Sequence, residues 1–263
     1  MSIRHKYKSK NRYWRWLLLA LLTLLLSLSA SLNVALWNRA KQYYKESNAT
    51  RLDPLGINAF SPSEISPKGE LTRVVFTGDS RASAWPAPTL EGYEFINRGI
   101  GAQTSTQVLQ RFSAHVAPLN PDIIIIQVGI NDIKTIGLFP NQTPKILSDA
   151  RNNIAQLISQ AEATGAQVIV SSILPAGEIT LARRAFWSDD IDTAVVEVNK
   201  FLKEIATSNA EDNIVWFDSY AAIANNKGRM KSEYRQDELH LNNAGYKALN
   251  QRFTDKLISL TNL

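Results

Sequence analysis

The sequence predicts an α/β domain, a parallel sheet covered by helices on both faces, preceded by one helix long enough to cross a membrane. Three observations lead there. Short apolar or β-branched runs alternate with longer stretches of helical spacing, the pattern of strands joined by crossover helices. One such run, "DIIIIQV" at 122–128, is so continuously apolar that it needs cover on both sides. Finally, residues 16–37 carry no charged side chain. At 263 residues the chain holds one ordinary domain with length to spare.

The elements follow in order. Arg4, Lys6, Lys8, Lys10, Arg12 and Arg15 crowd residues 1–15 without an acidic neighbour, forming a basic tail. The uncharged run from Trp16 to Trp37 comes next. As a helix it is about 33 Å long, enough for a hydrocarbon core of about 30 Å, with a tryptophan at each end to suit the interfaces. The basic excess before the span places the tail in the cytoplasm and the remainder across the inner membrane, on the periplasmic or extracytoplasmic side. The small residues of "SLSAS" leave a cleaved signal peptide as the alternative, and either reading exports the domain. Residues 38–70, polar at first and then rich in Ser and Pro, read as a linker.

The domain is expected over 71–263. Strands are predicted at 73–77 ("RVVFT"), 93–97 ("YEFIN"), 122–128, 167–173 ("QVIVSSI") and 213–218 ("NIVWFD"). Helices are predicted at 104–116, where Val108, Leu109 and Phe112 share a side, at 143–165, closed by Gly165, at 190–209 and at 242–260. In parallel sheets functional groups gather at the carboxyl ends of strands. Here those ends lead into "GDS" (78–80), "NRGIGAQTS" (97–105) and "GIND" (129–132).

Composition excludes several classes of function. The net charge of +5 sits largely in the tail, so the body is near neutral and no nucleic-acid partner is expected. With no cysteine there are no disulfides, thiolate nucleophiles or zinc–thiolate sites.

What remains is the chemistry of Ser80. A serine hydroxyl is a weak nucleophile without a general base. The histidines are His5 in the tail, His115 at a helix end, read as a partly exposed surface residue, and His240 in "RQDELHLNNAGY". Asp237 precedes His240 by three residues, a spacing that on a helical turn lets one carboxylate accept the imidazole Nδ1–H and leave Nε2 for Ser80. The alternative is that Asp237 caps the turn and His240 is a surface residue. A metal site lacks a second nearby histidine, and no metal or organic cofactor is expected. Oxyanion donors are available in the backbone N–H of Ser80, an N–H of "GIGAQ" and the side-chain amide of Asn131, itself otherwise read as a turn former.

The blocks "GDS", "NRGIGAQTS", "GIND" and "DELH", in this order over about 190 residues, resemble the SGNH or GDSL hydrolases. "NRGIG" and "ILPAGE" are similar to the branch containing platelet-activating-factor acetylhydrolase catalytic subunits. The resemblance implies a three-layer α/β/α sandwich with a five-stranded parallel sheet of flavodoxin-like order. It implies Ser80 as nucleophile, His240 as base and then acid, and Asp237 as its orienter, with Ser80, Ala102 and Asn131 forming the oxyanion hole. Arg81, Gly101, Asp132 and Trp187 are the candidate substrate contacts, and Asp79 is expected to brace the loop beneath the nucleophile. Family members usually carry a second glycine in block two, as in "GIGGDT", where this chain has Ala102 followed by Gln103. Alanine keeps the N–H, but at positive φ it costs about 1 kcal/mol or more.

The expected activity is therefore that of a carboxylic ester hydrolase cleaving a short acyl ester, acetyl on a glycan foremost, through an acyl-enzyme. Transfer of the acyl group to an envelope glycan and a non-catalytic binding module are the competing readings. The loops at 81–92, 133–143 and 176–190 bring Trp85, Leu138, Phe139, Phe186 and Trp187 as pocket candidates, for a glycan or a lipid, with Arg183 and Arg184 available to an anionic group.

Overall fold

The computed structural model describes residues 5–61, 67–208 and 213–261. Residues 1–4 of the basic tail, 62–66 of the expected linker and Asn209 of the third expected helix lie outside them. Two units divide the chain at Pro54 and Leu55.

The first unit is α1, a continuous helix over His5–Leu52. Its apolar side chains from Trp14 to Trp37 are exposed, and it is long and apolar enough, by length and composition, to cross a membrane. The helix continues well past Trp37 into the stretch read as a linker. "NRAKQYYKESNATRL" contains neither proline nor glycine, so nothing in it stops a helix already nucleated upstream.

The second unit begins at Leu55, not Leu71. A 3₁₀ turn at Ile57–Ala59 precedes β1 (Thr72–Gly78) and the short α2 (Ser80–Ser83). Then come β2 (Tyr93–Gly99), α3 (Ser105–His115), β3 (Ile123–Gln127) and α4 (Ile130–Ile133). They are followed by α5 (Thr143–Glu162), β4 (Gln167–Ser171), α6 (Leu181–Arg184) and α7 (Asp190–Thr207). β5 (Ile214–Phe217), α8 (Ser219–Ile223) and α9 (Asn243–Thr261) complete the chain. The expected strands and long helices are present to within a few residues. The one-turn helices α2, α4, α6 and α8 are too short to leave a period in the sequence.

All strand pairs are parallel, in the order β2-β1-β3-β4-β5. Alternate strand residues point to opposite faces. Val75, Ile124, Ile126, Val168 and Val170 meet α3, α5 and α7 through Phe112, Leu157 and Val198. Val74, Phe76, Ile125 and Ile169 meet α8 and α9 through Ile223, Leu249 and Phe253 on the other face. The architecture is the three-layer α/β/α sandwich expected. From β1 the chain first adds β2 on one side and then β3 on the other, so the strand order reverses between β1 and β3, where a crevice opens at the carboxyl ends.

Candidate active site

β1 brings the chain to this crevice at Gly78, where a Cβ would lie 1.9 Å from the Gln127 carbonyl oxygen of β3. Only glycine fits so close an approach. Asp79 leaves the strand and caps α2, its Oδ1 accepting from the Arg81 N–H at 2.9 Å. Ser80 is then the first residue of the helix, and its backbone N–H has no intrahelical acceptor.

Ser80 Oγ lies 3.0 Å from His240 Nε2. On the other side of the ring, Nδ1 lies 2.8 Å from Asp237 Oδ2 and 3.0 Å from Oδ1. Burial raises the Asp237 carboxyl, but hydrogen bonds from the imidazole and from the N–H groups of Leu239 and His240 outweigh it and hold the pKa below the ordinary value. An ionised carboxylate only accepts, so it sets the tautomer: Nδ1–H donates to Asp237, and Nε2 faces the serine as an acceptor.

Asp237 and His240 do not share a helical turn, as the spacing suggested. They lie on a bend closed by an antiparallel bridge between Arg235 and Leu241 and by the Gln236 N–H donating to the His240 carbonyl at 2.9 Å. Asp237 Oδ1 also accepts the Leu239 and His240 N–H groups, each at 2.8 Å. The capping role and the histidine-holding role, set against each other in the sequence, are one carboxylate's work.

Arg81 is not a substrate contact. It is fully buried, and its guanidinium donates to the carbonyls of Leu239 (2.8 Å), Leu174 (2.7 Å) and Pro175 (3.3 Å). The Tyr246 hydroxyl donates to the Arg81 carbonyl at 3.0 Å. Arg81 thus ties the residue after the serine to the residue before the histidine, across 158 positions of sequence. Asp79 is buried with its Oδ2 unbonded, and desolvation lifts its carboxyl to about 6 against the opposing pull of Arg81.

Block two reaches the same rim. Gly101 and Ala102 are exposed there, and Ala102 adopts φ 62°, the left-handed region in which a glycine is at ease. Asn131, on α4 after β3, donates to the Gln103 carbonyl at 2.9 Å, leaving its second amide N–H available. Gly129, at φ 125°, makes the turn that delivers it. Asp132 also turns out to be committed elsewhere: its carboxylate accepts from the Ser105 N–H (2.9 Å) and hydroxyl (2.7 Å), binding block three to block two. Burial raises the Asp132 pKa, against those bonds.

Gln103, which stands at the aspartate of the resembled "GIGGDT" block, accepts from Arg111 Nε at 2.5 Å and donates to the Leu55 carbonyl at 2.7 Å. An aspartate could not do both. Arg111 in turn donates to the Gly78 carbonyl at 3.0 Å, under the loop that carries Ser80, and burial lowers its pKa to about 10. His115 is buried rather than partly exposed. Its Nε2 lies 3.0 Å from the Ile57 carbonyl and its ring meets Phe60 edge-on. Trp85, a pocket candidate, is core: it is 2% exposed and donates to Asn250 Oδ1 at 2.6 Å. Leu138, Phe139 and Phe186 are exposed, and Trp187 lines a cavity beside the histidine loop.

Comparison with solved structures finds this arrangement of strands and helices repeatedly. A GDSL-like lipase from Bacteroides thetaiotaomicron is 25% identical with a TM-score of 0.61, covering 84% of this chain and 97% of its own. A structure from Streptococcus pneumonia named for platelet activating factor reaches a TM-score of 0.63 at 24% identity, covering 85% of this chain and 98% of its own. An acetylxylan esterase from Geobacillus stearothermophilus shares the fold at 18% identity and a TM-score of 0.56, covering 72% of this chain and 94% of its own. No curated protein matches the sequence. The family model for the GDSL-like lipase/acylhydrolases aligns with residues 68–248, from the approach to β1 into α9, so the four sequence blocks and the fold that gathers them place this chain in that hydrolase family.

Proposed function

We propose that this family hydrolase is a serine esterase, held to the inner membrane by residues 16–37 with the domain outside the cytoplasm, and that it removes a short acyl group from a glycan. The supporting observation is the contact of Ser80 Oγ with His240 Nε2 at 3.0 Å, backed by Asp237 at 2.8 Å on Nδ1.

In this mechanism His240 takes the Ser80 proton as Oγ attacks the ester carbonyl. The imidazolium that forms is stabilised by Asp237. The negative oxygen is met by the N–H of Ser80, the N–H of Ala102 and the free amide N–H of Asn131. His240 then protonates the leaving alkoxide, and the acyl group stays on Ser80. A water, deprotonated by the same imidazole, attacks the acyl carbon; as the Oγ–acyl bond breaks, the imidazolium returns that proton to Ser80 Oγ and the acid is released. Each step is a proton transfer or an acyl transfer, and the chain's own groups balance both.

An acetyl ester on a sugar is supported by two observations. Phe139 and Phe186 are exposed on two of the candidate loops, where an aromatic face can meet a sugar. One structural neighbour is also an acetylxylan esterase. The decisive experiment compares full-length protein in detergent with its Ser80→Ala variant on p-nitrophenyl esters of increasing acyl length. Turnover falls by about 10³-fold or more in the variant, and is fastest on acetate in the parent. A fluorophosphonate probe labels the parent at Ser80 and not the variant. Parent-level turnover in Ser80→Ala ends the proposal.

A further inference from the structure

Beside the histidine loop lies a cavity of about 740 Å³ that the mechanism does not use. Its lining includes Arg184, Trp187, Lys227, Arg229 and Arg235, with Glu178 and Asp189 as the acidic members. Two of the four cations are engaged: Arg229 pairs with Asp192 at 2.5 Å, and Arg235 with Glu178 at 3.4 Å. Arg184 and Lys227 are exposed and have no ion pair among the described residues. The cavity thus holds surplus positive charge beside an aromatic ring, which suits an anionic sugar and repels a cation.

The cavity adjoins the loop that carries Asp237 and His240. Arg235 is bridged to Leu241, next to His240, and stands two residues before Asp237, within about 7 Å of chain. On α6, Arg184 faces the cavity while its neighbour Arg183 pairs with the buried Glu238 at 2.7 Å, inside the loop that carries His240. A polymer seated in the cavity therefore lies against the loop that carries His240.

We infer that this cavity is an anion-binding subsite, holding a carboxylate- or phosphate-bearing unit of the polymer whose ester is cleaved. The inference rests on the esterase reading for its purpose, but its test does not depend on turnover. Binding is measured by calorimetry on full-length Ser80→Ala in detergent, with three probes: an oligogalacturonate, a poly(glycerol phosphate) oligomer and a neutral xylo-oligosaccharide.

At least one acidic probe is expected to bind about ten-fold or more tightly than the neutral one and to weaken as salt rises. The two acidic arms identify whether carboxylate or phosphate is preferred. Adding Arg184→Ser with Lys227→Ser weakens acidic binding about ten-fold at an unchanged melting temperature, and Arg184→Glu with Lys227→Glu weakens it further. Equal binding of acidic and neutral probes, or acidic binding indifferent to both double substitutions, overturns the subsite. If turnover were instead found intact in Ser80→Ala, the catalytic reading would fail while the binding result stood.

Discussion

Asp237 grips His240 at both ends of the residue: Oδ1 accepts its backbone N–H at 2.8 Å, and Oδ2 meets the ring Nδ1 at 2.8 Å. Loop geometry and imidazole orientation therefore depend on one side chain, and two substitutions separate them. Asp237→Asn keeps an oxygen for the backbone donors but offers no carboxylate to the ring. It is expected to lower kcat by about 10³- to 10⁴-fold while costing under about 1 kcal/mol of stability. Asp237→Ala removes both functions, with similar loss of turnover and a further 1–2 kcal/mol or so from the orphaned amides. Steady-state kinetics beside denaturant melts check this, and an Asn variant as active as the parent refutes the orienting role.

Ala102 sits at φ 62°, where a Cβ costs about 1–2 kcal/mol, and it is exposed, so its methyl contributes no core burial. Ala102→Gly relieves that strain and gives back part of the gain through a more flexible unfolded chain. The net expectation is a stabilisation of about 0.5–1 kcal/mol, read from denaturant midpoints at unchanged m-value. A destabilised glycine variant shows that the neighbouring loop, rather than the residue, bears the conformation.

The sheet and its long helices were legible because they repeat. Ile123–Ile126 and the 3.6-residue spacing of Val108, Leu109 and Phe112 are local signals of burial. Ser80, Asp237 and His240 also stood out in the sequence, since hydroxyl, carboxylate and imidazole in that order are a scarce combination, and the fold brings the three side chains within hydrogen-bond distance. Arg81 was misread as a substrate contact because its three carbonyl partners lie from about 90 to about 160 positions away, and no local pattern encodes them. Trp85 was misread for the same reason, its indole partner being Asn250 on α9. Asp132 and His115 are further cases in which the residue type suggested one role and a distant neighbour fixed another.

Asp79 makes stability depend on pH. Its folded pKa, about 6, lies above the unfolded value of 3.8, because the buried carboxyl resists ionisation. The folded state thus binds the proton more tightly, and the resulting stability is fully present below pH 3.8 and lost as pH rises through 6. About two units at about 1.4 kcal/mol each give a loss near 3 kcal/mol. Asp79→Asn keeps an acceptor for the Arg81 N–H and carries no proton to lose, so its stability falls less than the parent's between pH 4 and pH 7. Urea melts across that range test it, and parallel curves for parent and variant rule the effect out.

The start of the domain offers a final contrast between sequence and structure. The Ser- and Pro-rich composition suggested a linker up to residue 70, yet Leu55 accepts from Gln103 at 2.7 Å, Ile57 approaches His115 at 3.0 Å, and Phe60 lies under Arg98 at 4.5 Å. Gln103 also holds Arg111, which donates to the carbonyl of Gly78 two residues before Ser80. Removing residues 55–60 strips two hydrogen-bond acceptors, the Leu55 and Ile57 carbonyls, and an aromatic cover from those contacts. A chain beginning at residue 54 is expected to melt like the full-length protein. One beginning at residue 68 loses about 2–3 kcal/mol or more, from the orphaned Gln103 amide, the His115 ring N–H left without the Ile57 carbonyl and the lost cation–π contact. Gln103→Glu in the full chain reproduces part of the loss, since a carboxylate has no N–H for Leu55. Equal stability of the two shortened chains would return residues 55–60 to the role of a passive tether.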